Sequence, residues 1–342
     1  MICYLSKNYK GTHSAGNKAK TDIEKIMSDL GYRNVGLPQS TYTNSILSFV
    51  VTLVGVLKSF FSLHRGDYLV LQYPLKKYYT LVCCMAHVKG CKVITIIHDL
   101  GSFRRQKLTV EQEIKRLNHS DYVIAHNSSM LNWLVEKGCK AQMGSLQLFD
   151  YLSQTQATWQ KRSSGAPYKV LYAGGLASRK NNFLYEVEKY IKSYSFVLYG
   201  NGFEADKIQH KAFFEYKGFI PSDSLIASAQ GDFGLVWDGD SVDECSGNFG
   251  EYLRYNNPHK TSLYIRCGLP VIIWEKAALA SFVSQHQIGI CVSSLRHLDD
   301  ILSNISEDEY VQMKEKVRMV NNKLMSGAFL KEALNQAVQL IS

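Results

Sequence analysis

From Tyr255 to Ser262 the chain reads Tyr-Asn-Asn-Pro-His-Lys-Thr-Ser, a run rich in hydrogen-bond donors. Asn257 suits a helix cap and Pro258 the first helical position, so Leu263 and Cys267 behind them predict a helix. Gly268 and Pro270 stop it. The first amides of such a helix, on His259, Lys260 and Thr261, have no partner inside it, and the helix dipole adds positive charge at that end. With the Lys260 ammonium, the His259 ring and the Thr261 and Ser262 hydroxyls, that end would seat a phosphate or diphosphate. An ordinary capped helix whose polar first turn meets water has the same composition. The loop before it, from Asp238 to Pro258, is about twenty residues long and rich in Gly and Asn, and loops of that length are usually functional.

The elements around this stretch must place it. Phe233–Trp237 and Pro270–Trp274 are short apolar runs of strand type, giving strand, long loop, helix, strand. The same alternation runs from the start of the chain. Ile2–Leu5 is a strand, Tyr9–Lys18 a glycine-containing loop opening a helix to about Leu30, Tyr68–Gln72 a strand, Tyr78–Val88 a helix. Lys92–Ile97 and Tyr122–Ala125 are strands, the latter followed by a helix to Val135. Apolar, β-branched strands alternating with helices predict parallel sheets covered on both faces. In such sheets ligands bind beyond the carboxyl ends of the strands. There the sequence places Gln72-Tyr73-Pro74, His98-Asp99 and His126-Asn127-Ser128, expected to converge on one rim.

Polar residues crowd between about Asp150 and Pro167, which predicts a linker. The boundaries are then 1–150 for the first domain, 151–167 for the linker, 168–325 for the second domain and 326–342 for a last helix. In the second domain, Tyr168–Tyr172 is a strand with Gly174-Gly175 as its turn, and Ser195–Tyr199 is the next. Phe214–Tyr216 is short and extended, and Ser222 is expected to cap a helix ending near Gln230. Apolar residues from Tyr310 to Ile341 recur at helical spacing, and the last helix is expected to cross back onto the first domain or to pack on a second subunit. Neither half carries a full G-x-G-x-x-G. Nor is Gly11–Lys18 a P-loop, because Asn17 stands between Gly16 and Lys18.

The chain has 342 residues, room for two domains of ordinary size, and a net charge of +9. Residues 1–150 hold 19 Lys and Arg against 10 Asp and Glu, while residues 151–342 are balanced at 20 against 20, so the excess lies in the first half. Such a half suits an anionic membrane surface, an acidic substrate or nucleic acid, or is simply a solvated surface. Eight cysteines without a C-x-x-C pair read as reduced, buried thiols of a cytoplasmic protein. Ile46–Leu57 is an apolar run too short to span a bilayer, read as a buried helix in preference to an interfacial anchor.

Two α/β domains of similar size, with glycine turns in both and an anion seat late in the second, resemble the GT-B sugar-nucleotide glycosyltransferases. Trp237-Asp-Gly239, the run Gly250–Tyr264 containing Asn-Asn-Pro-His-Lys, Gly268-Leu-Pro-Val-Ile272, His98-Asp99-Leu100 and Asn127-x-x-Met130 narrow this. They are similar to the bacterial family of β-1,6-galactofuranosyltransferases and of glucosyltransferases that extend adhesin glycans. The resemblance implies two Rossmann-like domains facing across a cleft, with C-terminal helices, and a UDP-sugar held chiefly by the second domain. Tyr255, Asn256, Asn257, Pro258, His259, Lys260 and Thr261 would hold the diphosphate and ribose. Arg179 would reach the phosphates with Lys180 assisting, Phe219 would lie by the uracil, and Gly16 and Asn17 would approach the donor from the first domain.

Charge leaving with UDP would be met by fixed cations, so no metal or other cofactor is expected. Asp238-Gly-Asp240, which imitates a D-x-D metal motif, is discounted for the same reason. Inversion at the sugar requires a general base. Asp99 is the choice, with His98 and Glu251 as alternatives; a carboxylate there could instead cap the next helix. Expected partners are the UDP-sugar and a glycan acceptor, for which a lipid-linked form would suit a basic first domain at the inner face of the membrane. A homo-oligomer is expected and nucleic acid is not. A non-catalytic nucleotide- or sugar-binding module, a transferase with another hexose donor, and an NTPase using Gly11–Lys18 remain as rivals.

Overall fold

The computed structural model of the chain describes residues 1–9, 15–75, 78–103, 106–159 and 162–342. The elements of the first half are β1 (Ile2–Tyr4), α1 (Ala15–Asp29), β2 (Arg33–Asn34), α2 (Ser45–Ser62), β3 (Tyr68–Tyr73), α3 (Tyr79–Val88), β4 (Lys92–Ile97), α4 (Val110–Leu117), β5 (Tyr122–Ala125), α5 (Ser128–Glu136) and β6 (Gln142–Ser145). There follow β7 (Lys169–Gly175), α6 (Ser178–Asn181), α7 (Phe183–Glu186), β8 (Ser195–Asn201), β9 (Phe214–Gly218), α8 (Ser222–Ser228), β10 (Phe233–Val236), α9 (Gly247–Gly250), α10 (His259–Arg266), β11 (Val271–Trp274), α11 (Ala280–His286), β12 (Gly289–Val292), α12 (Leu298–Ser303), α13 (Glu307–Ser326) and α14 (Ala328–Ile341).

These form two compact units, Met1–Asp150 with Gly327–Ser342, and Tyr151–Ser326. Each holds a six-stranded sheet, in the order β2-β1-β3-β4-β5-β6 and β12-β11-β10-β7-β8-β9, with every pairing parallel. Strands such as Val93–Ile97 and Val271–Trp274 are buried along their whole length, as two helix-covered faces require. In both sheets the winding direction reverses once, between β1 and β3 in the first and between β7 and β10 in the second. The carboxyl ends flanking such a reversal diverge and leave a crevice, where α/β folds bind ligands.

Several expectations need correction. The Ile46–Leu57 run forms α2, but only Gly55, Val56 and Ser59 of that helix are buried; the helix lies on the surface with its apolar side outward. Ser222 is the first residue of α8, whose cap is Pro221. Gly327, at φ +72°, separates α13 from α14, and a side chain there would collide with Ile26. All eight cysteines are free, but Cys84 and Cys291 are exposed.

Asp150 accepts hydrogen bonds from the amides of Phe329 and Leu330, at 3.3 and 2.8 Å, and so caps α14. α14 packs on β5, β6 and α1.

Candidate active site

The crevice of the second unit is built on glycine. Gly174 and Gly175 end β7 beside Gly200 and Asn201 of β8. A Cβ on Gly200 would sit 1.8 Å from the Gly174 carbonyl oxygen, and Gly200 has φ +141°, so no other residue fits there. Gly239, just past β10, meets Ser246 in the same way. Asn181, fully buried on α6, joins the two sides of the reversal: its Nδ2 donates to the Gly175 carbonyl at 2.7 Å, and its Oδ1 accepts from the Gly239 amide at 3.3 Å.

α10 is keyed into this crevice from beneath. Gly234 in β10 leaves room for the Tyr264 ring, and the Tyr264 hydroxyl accepts from the Ala173 amide of β7 at 2.9 Å. Arg266, fully buried, donates to Asn321 Oδ1 (2.7 Å), the Ser153 carbonyl (3.1 Å) and the Thr155 carbonyl (2.7 Å), which fixes the other end. Arg266→Ala strips the buried Asn321 oxygen and two half-buried carbonyls of their donor at once. It is expected to destabilise the fold by about 3–5 kcal/mol, read from urea unfolding midpoints.

The start of α10 differs from the sequence reading. Pro258 is itself the cap, without a side-chain cap bond, and Asn257 lies one residue outside, buried. The Thr261 amide is engaged by the Pro258 carbonyl at 3.0 Å, and Thr261 and Ser262 are wholly buried, so neither hydroxyl is a surface donor. The inward face of the helix is carried by Tyr264, Ile265 and Arg266; Leu263 is only half-buried. At the mouth, in the first turn of the helix, stand His259 and Lys260, with Tyr255, Asn256 and Pro258 half-buried beside them. The His259 ring stacks on Tyr151 at 4.8 Å.

Lys260 does not point outward. Its Nζ lies 2.9 Å from Asp238 Oδ1, 3.2 Å from the Tyr172 hydroxyl and 3.4 Å from the Trp237 carbonyl, so its three donors tie together the ends of β7 and β10. The Tyr172 hydroxyl also reaches Asp238 Oδ1, at 3.1 Å. Asp238, the first carboxylate of Asp-Gly-Asp240, thus balances the lysine, while Asp240 is exposed. Arg179 on α6 is exposed, and no ion pair joins it to another of the described residues. Lys180 lies over the Phe249 ring at 4.9 Å. Phe219 stands exposed just past β9.

In the first unit the reversal carries a chain of buried donors. Glu24 of α1 accepts from the Ser6 and Tyr9 hydroxyls, and burial raises its carboxyl above the usual range. Tyr9 in turn accepts from Gln72 Nε2 at 3.1 Å, which turns Gln72 Oε1 towards His98 Nε2, 2.6 Å away. His98 therefore carries a proton on Nε2. His98 and His126 both pack on Phe149. His126 is sealed, donates to the Ile97 carbonyl, and is pushed down to about 3 by burial. The ends of β3, β4 and β5 do meet on one rim.

Asn127, however, caps α5 through the Met130 amide. Asp99 is half-buried and is not the cap of the next helix, because Thr109 caps α4 in a capping box with Gln112. Glu251 is exposed and paired with Arg254. Gly16 and Asn17 lie within the first turns of α1, not in a loop. Lys18 is tied to Asp22, and Gly11 falls outside the described residues. Ser6, Tyr9, Glu24, Tyr172 and Asn181 were not anticipated. For Asn181 alone a signal existed, a polar residue at an inward helical position after a glycine turn.

Residues 2–148 match the N-terminal domain, and residues 170–337 the C-terminal domain, of glucosyltransferase 3-like proteins. The chain belongs to this family. It is 30% identical to the β-1,6-galactofuranosyltransferase WbbI of Escherichia coli (strain K12), over 95% of this chain and 94% of that one. It is 24% identical to glucosyltransferase 3 of Streptococcus gordonii, over 94% and 93%. Among solved structures, the apo lipopolysaccharide outer core galactosyltransferase WaaB superposes with a TM-score of 0.63 at 12% identity, covering 98% of this chain and 99% of that one, which shows a shared GT-B fold. The family member described here is accordingly a glycosyltransferase of the hexosyl-transferring kind.

Proposed function

We propose that this transferase takes galactofuranose or glucose from a UDP-sugar and passes it, with inversion and without metal, to a glycan acceptor of a cell-surface polysaccharide or glycoprotein. The observation that carries this reading is the second-unit crevice: a glycine floor, the start of α10 and the exposed Arg179, all at the reversal of the sheet. A diphosphate needs close backbone approach, amide donors and positive charge. In the reaction an acceptor hydroxyl attacks the anomeric carbon, the bond from that carbon to the phosphate oxygen breaks, and the electron pair leaves with UDP. Asp99 takes the hydroxyl proton. Arg179 and the α10 dipole meet the negative charge that grows on the diphosphate, the role preorganised donors play in most transfer reactions.

Thermal stabilisation by UDP tests the seat, and a panel of UDP-sugars assayed with EDTA present tests donor and metal independence. Absence of any shift with UDP would remove the proposal. Arg179→Ala should weaken UDP binding by about 1–3 kcal/mol, as loss of a charge-assisted bond does, with little change in unfolding midpoint because the side chain is exposed. Isothermal titration of UDP into the variant reads this directly.

A further inference from the structure

We propose that α2 lies flat in the interfacial layer of an anionic lipid bilayer. Helices on soluble proteins turn their apolar stripe inward; α2 does the reverse. Ile46 and Phe61, near its two ends, are 76% and 77% exposed, and Phe49, Val50, Val54 and Leu57 between them are also exposed. Placed at about 100° per residue, these side chains and Leu47 fall within one stripe roughly 160° wide and about 23 Å long, with no charged residue in it. The opposite side holds the helix to its own unit. Leu37 packs on Gly55, next to the buried Val56 and Ser59, and Lys58, beside the stripe, donates to the Gly36 carbonyl at 3.0 Å. A helix fastened along one side cannot cross a bilayer, but it can sink its free side to headgroup depth.

Charge selects lipid as the occupant. From Leu30 to His98 the sequence has seven Lys or Arg and one carboxylate, Asp67. Asp67 is buried and already holds Arg33 and the N-terminal ammonium. Lys89 lies over Phe60 at the margin of the stripe, 4.9 Å from the ring centre. Lys92 is paired with Asp121, but Lys58 on α2 itself and Lys89 flank the stripe, and positive charge there complements anionic headgroups while two copies of it would repel each other. The inference stands on this surface alone and does not depend on the donor proposed above.

Flotation of the full chain with lipid vesicles tests it. The protein should rise with vesicles of phosphatidylcholine containing about one-third phosphatidylglycerol, and about tenfold less with phosphatidylcholine alone. The double variant Val50→Glu/Leu57→Glu alters only exposed positions and should lower partition into the anionic vesicles by about tenfold or more. Its melting curve and UDP binding should match wild type; a milder pair, Ile46→Ser/Phe61→Ser, serves if it does not fold. No flotation on anionic vesicles, or equal flotation of a folded variant, overturns the proposal. So does a dimer, seen by light scattering, that the same variants convert to monomer, because a second copy would then cover the stripe.

Discussion

Asp99→Asn should slow sugar transfer by about 10²–10⁴-fold while leaving UDP affinity nearly unchanged, the signature of a lost general base. Asparagine keeps the size and the hydrogen-bonding shape of the side chain but cannot accept the acceptor's proton. Because α4 is capped by Thr109, the substitution removes no helix cap, and the unfolding midpoint should stay in place. Single-turnover transfer from each UDP-sugar, beside titration of UDP, separates the two readouts. A transfer rate equal to wild type would strike Asp99 from the mechanism and turn attention to the His98 ring, whose tautomer is set by the chain from Glu24.

Lys260 presents the second large effect, which falls on both stability and binding. Lys260→Ala leaves Asp238, only 8% exposed, without its cation and should cost about 2–4 kcal/mol of stability, as for other partly buried charges left alone. It should also weaken UDP binding by about 1–3 kcal/mol, since the ammonium belongs to the first turn of α10. The double variant Lys260→Met/Asp238→Asn separates these consequences. With neither charge buried alone, most of the stability returns, whereas UDP affinity stays low if a phosphate competes with Asp238 for the lysine. Full recovery of affinity would confine Lys260 to fastening the ends of β7 and β10.

The long, fully buried strands were legible because nothing but a two-sided burial explains runs such as Val93–Ile97, and α10 because a proline start and a glycine stop bracket it. The two-residue β2, and β6 with its Gln-Met-Gly-Ser sequence, carry too little apolar pattern to be read. What α2 faces could not be read either: a 160° apolar stripe looks the same whether turned in or out, and only Gly55 on the other side, the small residue that admits Leu37, decides it. The polar chain from Glu24 through Tyr9 and Gln72 to His98 joins residues separated by 15, 63 and 26 positions. Only the parallel sheet makes them neighbours. The Lys260–Asp238 pair was hidden for the same reason, with a long loop between two residues that each looked ready for a ligand.

The fastening of α14 sets an order on how the chain can mature. Asp150 holds the start of a helix 179 residues downstream, and that helix closes one side of β5 and β6. As the polypeptide leaves the ribosome, the earliest-made half must therefore wait, with apolar strands uncovered, until the tail arrives. Severing the chain near Gly327 would harm the unit that was finished first in sequence and leave the later one comparatively sound.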